Sequence, residues 1–334
     1  MTKAAWMTQA ESGFGRHGGR LAEAMRAFPD APAPWLDLST GINPIAWRPR
    51  EPIAIDPGPL PDVSALARLE AAAAAAFGAD PARVVAVPGS EIALRLLPSL
   101  GLPQPFTAVV PTYGTHREIA AEQIDRAALA TARSGTVILA NPNNPDGHTL
   151  AASVTYALAL RQQERGGWLV VDEAFADVMP DTSVGSAPEK GLPLVVLRSF
   201  GKFFGLAGVR LGFLIAPAEI IARARALLGD WPVSAQAIAW GTAAYEDGAW
   251  IAQTRTELAG TATRLDTLLA RHGLAAEGAC PLFRLVRHPE VRAVFERLAR
   301  AGILTRPFDD HPDWLRFGLP GSEAGFDRLD RALG

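Results

Sequence analysis

Between residues 64 and 216, short apolar and β-branched runs alternate with helix-length stretches, and no other feature restricts the fold as tightly. Strands joined by crossovers of that length pair in parallel, with helices covering the sheet. Strands are expected at residues 84–87, 107–110, 136–139, 168–171, 194–197 and 211–215, and their nearly unbroken apolar character fits strands covered on both faces. Helices are expected at residues 64–77, opened by Ser64 and closed by Gly78, and at 91–100 and 150–165. The fold class is α/β.

The flanks read differently. Residues 29–62 carry proline at 29, 32, 34, 44, 49, 52, 57, 59 and 61, which predicts an extended arm with little regular structure. Residues 234–272 read as one long helix or two consecutive ones, and from about residue 280 short strands (283–286, 315–318) mix with helices (290–301, 324–333). A chain of 334 residues, at about 150 residues per domain, holds roughly two domains. The expected boundaries are an N-terminal arm at 1–47, packing on the small domain and the active site, a large domain at 48–235 and a smaller α+β domain at 236–334.

Composition removes several function classes. With 32 Lys and Arg against 35 Asp and Glu, the formal charge of -3 offers no bulk attraction to a nucleic-acid backbone. Cys280 is the only cysteine, so neither an intrachain disulfide nor a cysteine-rich zinc site can form, and no metal is expected; a reducing, cytoplasmic compartment fits. The N-terminus carries charges and glycines where a secretion signal needs an unbroken apolar run. The longest low-polarity run, residues 71–77, falls far short of the roughly 20 residues that cross a membrane.

Three separated segments carry chemistry: NPNNPDG (141–147) after the third expected strand, VVDEAF (170–175) at the end of the fourth, and RSFGKFFGLAGVRLGF (198–213) after the fifth. Ligands of parallel α/β sheets sit at the carboxyl ends of strands, so Asn144, Asp172 and Lys202 are expected to converge on one crevice. An amine that condenses with an aldehyde, a carboxylate that keeps a ring nitrogen protonated and an amide that donates to a phenolic oxygen are the set pyridoxal phosphate chemistry requires. Singly, each has a plain explanation as a turn, a solvated strand end or a surface cation. Their joint order at strand ends argues against coincidence.

On these residues the chain resembles the fold-type I pyridoxal phosphate enzymes of the class I/II aminotransferase superfamily, from His17 to about Gly321. The resemblance implies a large domain with a mostly parallel seven-stranded sheet, a smaller C-terminal α+β domain, a homodimer and pyridoxal 5'-phosphate as cofactor. It makes Lys202 the aldehyde partner, Asp172 the ring-nitrogen partner, Asn144 the donor to the phenolic oxygen, and Arg210 and the hydroxyl of Ser199 phosphate ligands. Ser90 and Glu91 of PGSE would donate backbone amides to the same phosphate, and Tyr113 of PTYGTH would stack on the ring and join Lys202 and Asp172 in catalysis; His116 reads as structural.

HGGR (17–20) and LDLSTGINP (36–44) resemble the threonine-phosphate decarboxylase branch of the superfamily, a close relative of the histidinol-phosphate aminotransferase branch. That implies a small phosphorylated amino acid as substrate, its phosphate approached by His17, Gly18, Gly19 and Asn43 with help from Arg306, its carboxylate held by Arg316, and Asn144 also close to it. The implied reaction is decarboxylation of L-threonine O-3-phosphate to (R)-1-aminopropan-2-ol O-phosphate in cobalamin biosynthesis. The alternatives are an aminotransferase acting on histidinol phosphate or a related amino compound, and a non-catalytic partner that kept the fold. Three positions depart from common patterns: Phe175 stands where the histidinol-phosphate branch has a tyrosine, Gly201 replaces a serine, and Leu60 falls where many relatives carry a tyrosine reaching the neighbouring subunit.

Overall fold

The computed structural model describes Phe14 and residues 17–132, 134–187 and 191–334. They fall into two compact units, one of residues 46–144 and 148–255, the other of the described residues up to Ile45 with 145–147 and 256–334.

The larger unit is built on a seven-stranded sheet: β1 (Val84–Val87), β2 (Phe106–Val110), β3 (Glu122–Asp125), β4 (Thr136–Ala140), β5 (Trp168–Asp172), β6 (Leu194–Ser199) and β7 (Gly212–Ile215), in the spatial order β1-β7-β6-β5-β4-β2-β3. The pairs among β3, β2, β4, β5 and β6 are parallel, and β7 runs antiparallel to β6 and β1 on either side. Reversing twice across β7 returns β1 to the direction of β6, so all strands but β7 end at the same edge. The inner strands are apolar on both faces, and Val85, Val87, Ile138, Val170 and Leu197 form one core with Leu94, Leu97 and Ile220 of the flanking helices. β3, reading EQID and largely exposed at the sheet edge, lacks the apolar run that marks the others and is not among the expected strands.

Local chemistry sets the helix ends. The helix Val63–Phe77 starts ahead of Ser64 because the carboxylate of Asp62 accepts from the Ser64 N–H at 2.8 Å, and it stops at Gly78, whose left-handed backbone (φ 66°) closes the last turn. The stretch 234–272 resolves into two helices, Ala235–Glu246 and Gly248–Arg271. The first is capped by the Ser234 hydroxyl, and its Tyr245 meets Phe77 edge-on at 5.4 Å. This helix therefore packs within the larger unit, on the far side of the boundary expected at 235/236.

The smaller unit carries a four-stranded antiparallel sheet in the order Arg306–Pro307, Trp314–Gly318, Phe283–Arg287, Ala276–Glu277. A second, two-stranded element pairs Leu36–Asp37 of the arm in parallel with Ile303–Leu304. The chain then continues along the end of Trp314–Gly318, where the Gly318 N–H donates to the Leu38 carbonyl at 2.6 Å. Among the described residues, no helix is long and apolar enough to cross a membrane.

Candidate active site

The shared carboxyl edge of the larger unit gathers most of the sequence-predicted residues. Asp172 is the last residue of β5, Ser199 the last of β6, and Lys202 lies in the short helix Phe200–Phe203 that follows β6. The loop after β4 begins beside Asp172, where the Asn141 N–H donates to the Asp172 carbonyl at 2.9 Å. The Asn141 side chain bonds Leu150 and Thr182, and Asn143 donates to the Pro111 carbonyl at 2.9 Å, so Asn144 is carried, half-buried, by an anchored loop.

The predicted phosphate residues come together where β1 and β7 meet. Gly89 (φ 91°) precedes the helix Ser90–Leu96, and a Cβ on it would lie 2.5 Å from Nη2 of Arg210. A Cβ on Gly212 would lie 2.6 Å from the Ser90 nitrogen, and Gly212 pairs with Ser199 across the β6–β7 ladder. Ser90, Ser199 and Arg210 thus surround one patch of backbone that only glycine leaves open. Arg210 is the single described non-glycine residue with positive φ, at 58°. Glu91 uses its side chain elsewhere: it accepts from the Thr115 hydroxyl at 3.0 Å and pairs with Arg95 at 3.0 Å.

Asp172 is buried and accepts from the Ala174 N–H at 3.0 Å. Its other oxygen lies 3.0 Å from Nε2 of His116, whose Nδ1 is 2.7 Å from the Thr112 hydroxyl. With a neutral ring, both contacts are satisfied when Thr112 donates to Nδ1 and Nε2–H donates to Asp172. His116 therefore orients the carboxylate, a structural role whose partner, 56 residues away, the sequence does not name. Tyr113 packs edge-on to His116 at 5.9 Å, and burial together with the charge of Glu91 pushes its phenol up to about 12. The Lys202 amine lies 6.0 Å from the Phe175 ring centre. Gly201 has a local reason in this chain: a Cβ there would come within 2.6 Å of the Ala207 Cα, so serine would not fit without a shift.

Behind the same strand ends, on residues adjacent to Asp172 and Ser199, lies a buried ionic cluster. Arg198 donates to Glu173 at 2.8 Å and to Asp177, and Glu173 also accepts from the Ser183 hydroxyl at 2.5 Å and the Val184 N–H at 2.7 Å. Burial opposes the Arg198 charge, but Asp177 and Glu173 outweigh it and hold the guanidinium above its ordinary value. The cluster ties the ends of β5 and β6 together from behind.

The smaller unit holds the other predicted residues. Arg306 and Arg316 face each other directly on antiparallel strands, both buried, with guanidiniums over Phe308 (4.7 Å) and Phe283 (5.0 Å). Directly opposed like charges destabilise a strand pair, and burial together with Arg306 pulls Arg316 well below its ordinary value. Arg316 donates to the Ser39 carbonyl at 3.0 Å, and the Ser39 hydroxyl accepts from the Gly19 N–H at 2.7 Å, which brings the Gly18–Gly19 turn to the arginine pair. His17 is half-buried at the start of this turn. Asn43 is buried and accepts from the Ile45 N–H at 2.9 Å. Cys280, in the same unit, is fully buried and its thiol is pushed up to about 12 by burial, which leaves it inert as a nucleophile. Among the described residues no group of His, Cys, Asp and Glu is arranged to hold a metal ion.

Comparison with known proteins adds to this geometry. The family model described as aminotransferase class I and II matches residues 110–333. The chain is 42% identical to a threonine-phosphate decarboxylase of Sinorhizobium sp over 334 residues, covering 95% of this chain and 97% of that one. It is 38% identical to a threonine-phosphate decarboxylase of Pseudomonas aeruginosa, over 95% and 96% of the two chains. Among solved structures, histidinol-phosphate aminotransferase from Sinorhizobium meliloti in complex with pyridoxal-5'-phosphate superposes with a TM-score of 0.73 at 21% identity, covering 100% of this chain and 93% of that one.

Proposed function

The chain belongs to the aminotransferase class I and II family, and we propose that within it the protein is a pyridoxal phosphate-dependent lyase that decarboxylates L-threonine O-3-phosphate to (R)-1-aminopropan-2-ol O-phosphate, a step of cobalamin biosynthesis. The observation that carries the reading is the buried, face-to-face pair of Arg306 and Arg316 in the unit that also holds the Gly18–Gly19 turn. Two adjacent guanidiniums suit a ligand with two anionic groups, as a phosphorylated amino acid has. The likeness to two threonine-phosphate decarboxylases along nearly their whole length supports the same substrate class.

The residues of the larger unit fit the cofactor. The Gly89 cradle with Arg210, Ser90 and Ser199 would hold its phosphate, Lys202 its aldehyde, Asp172 its ring nitrogen and Asn144 its phenolic oxygen, with Tyr113 on the ring face. When bound, the cofactor supplies an electron sink for a bond breaking at the substrate Cα. Asp172, oriented by His116 and the Ala174 N–H, keeps a proton on the ring nitrogen. Phe175, with no hydroxyl, leaves the donation to the phenolic oxygen to Asn144. The Lys202 amine returns a proton to Cα once carbon dioxide has left. In the smaller unit, Arg306, Arg316 and the Gly18–Gly19 turn would hold the substrate's two anionic groups, and the way they hold its carboxylate would decide between loss of carbon dioxide and amino transfer. The single cysteine leads us to place the protein in the cytoplasm, and the resemblance to expect a homodimer.

The direct test incubates cofactor-loaded protein with L-threonine O-phosphate in the presence of 2-oxoglutarate and follows both products. Carbon dioxide and a phosphorylated aminopropanol are expected. Glutamate formation without gas would replace the decarboxylase reading with that of an aminotransferase, which the matching family model also favours.

A further inference from the structure

Ser39 sits where three stretches of the smaller unit meet. A Cβ on Gly18 would collide with the Ser39 carbonyl oxygen, and one on Gly318 would collide with that of Thr40, so the Leu38–Thr40 backbone is gripped from two sides. Ser39 is 2% exposed and uses both of its oxygens. Its hydroxyl donates to Oδ1 of Asp37 at 2.6 Å, and the same carboxylate oxygen accepts from the Ser39 N–H at 2.9 Å. With its proton committed to Asp37, the hydroxyl oxygen is left to accept from the Gly19 N–H at 2.7 Å. The Ser39 carbonyl meanwhile accepts from Nη2 of Arg316 at 3.0 Å.

We infer that Ser39 is a positioning residue that holds the Gly18–Gly19 turn and the Arg316 guanidinium in one anion-binding arrangement. The physical need is plain on both sides. Gly19, at φ 81°, belongs to a glycine pair with more backbone freedom to lose than any other residue type, so an untethered turn would spend most of its time away from an anion. Arg316 carries a long side chain whose plane must be set before it can grip an oxyanion with two parallel bonds. One residue answers both needs, through its hydroxyl and its carbonyl. The nature of the ligand, a phosphorylated amino acid, rests on the proposed function; the arrangement does not.

The test uses the holoenzyme, in which the cofactor's own phosphate site is filled, with inorganic phosphate as a calorimetric probe and L-threonine O-phosphate as the kinetic one. Ser39→Ala is expected to weaken phosphate binding and raise KM by about fivefold to tenfold, the effect of one lost hydrogen bond, with kcat within twofold and the cofactor absorption band unchanged. Asp37→Ala, at an exposed position, frees the same hydroxyl and should move both constants the same way by a smaller factor; it decides the matter if Ser39→Ala does not fold. Wild-type protein that does not bind phosphate, variants that bind it as tightly as wild type, or a fall in kcat with KM unchanged would each overturn the inference. Weakened phosphate binding in the variants, together with a wild-type enzyme that releases no carbon dioxide, would leave Ser39 in this role and remove the decarboxylase reading instead.

Discussion

Arg198 and Arg316 are equally buried, 3% exposed each, yet their surroundings push their charges in opposite directions. Arg198, in the larger unit, meets Glu173 and Asp177, and its charge is favoured despite burial. Arg316, in the smaller unit, faces Arg306 across a strand pair and is disfavoured by burial and by that neighbour together. The first guanidinium meets two carboxylates inside the protein. The second lies beside a like charge, the surroundings expected of the binding arginine proposed above.

Methionine substitutions, similar in volume and without charge, set the two against each other. Arg198→Met leaves Glu173 and Asp177 buried without their counter-charge and is expected to cost about 3–5 kcal/mol of stability in urea unfolding. A loss under about 1 kcal/mol would break the comparison. Arg316→Met should leave stability within about 1 kcal/mol of wild type while lowering kcat/KM for the phosphorylated substrate by about 100-fold, roughly 2.7 kcal/mol. Stability losses of equal size in the two variants would erase the distinction. The smallest effect is expected at Tyr245, whose phenolic oxygen is buried beside Arg198 and Asp177 without a hydrogen-bond partner. Burial and the charge of Asp177 raise this phenol well above 10, so the folded chain keeps a proton that the unfolded chain gives up. Its stabilising effect is complete below about pH 10 and drains away as pH climbs past that point. Tyr245→Phe should therefore match wild type within about 1 kcal/mol near neutrality and lose less stability above pH 10, measured by urea unfolding at a series of pH values.

The same contrast explains what could be read in advance. The strand-end placement of Asp172 and Lys202 is legible because each stands in a short motif at or just past the end of an apolar strand, and the inner strands are legible because burial on both faces leaves unbroken apolar runs. β3 was not, since an edge strand with one neighbour can afford EQID, and the helices Gly114–Ile119 and Phe200–Phe203 are too short to show a period. The His116–Asp172 contact and the role of Ser39, whose carbonyl meets a residue 277 positions away, exist only once the chain is folded. Glu173 and Arg198 sat in plain view within the motifs, but nothing local says that two adjacent strand ends will bring them together.

The left-handed backbone of Arg210 costs on the order of 1 kcal/mol that glycine would not incur, a difference that glycine's greater loss of backbone freedom on folding would largely offset. If Arg210 holds the cofactor's phosphate as proposed, its left-handed backbone is the local strain that accompanies that role.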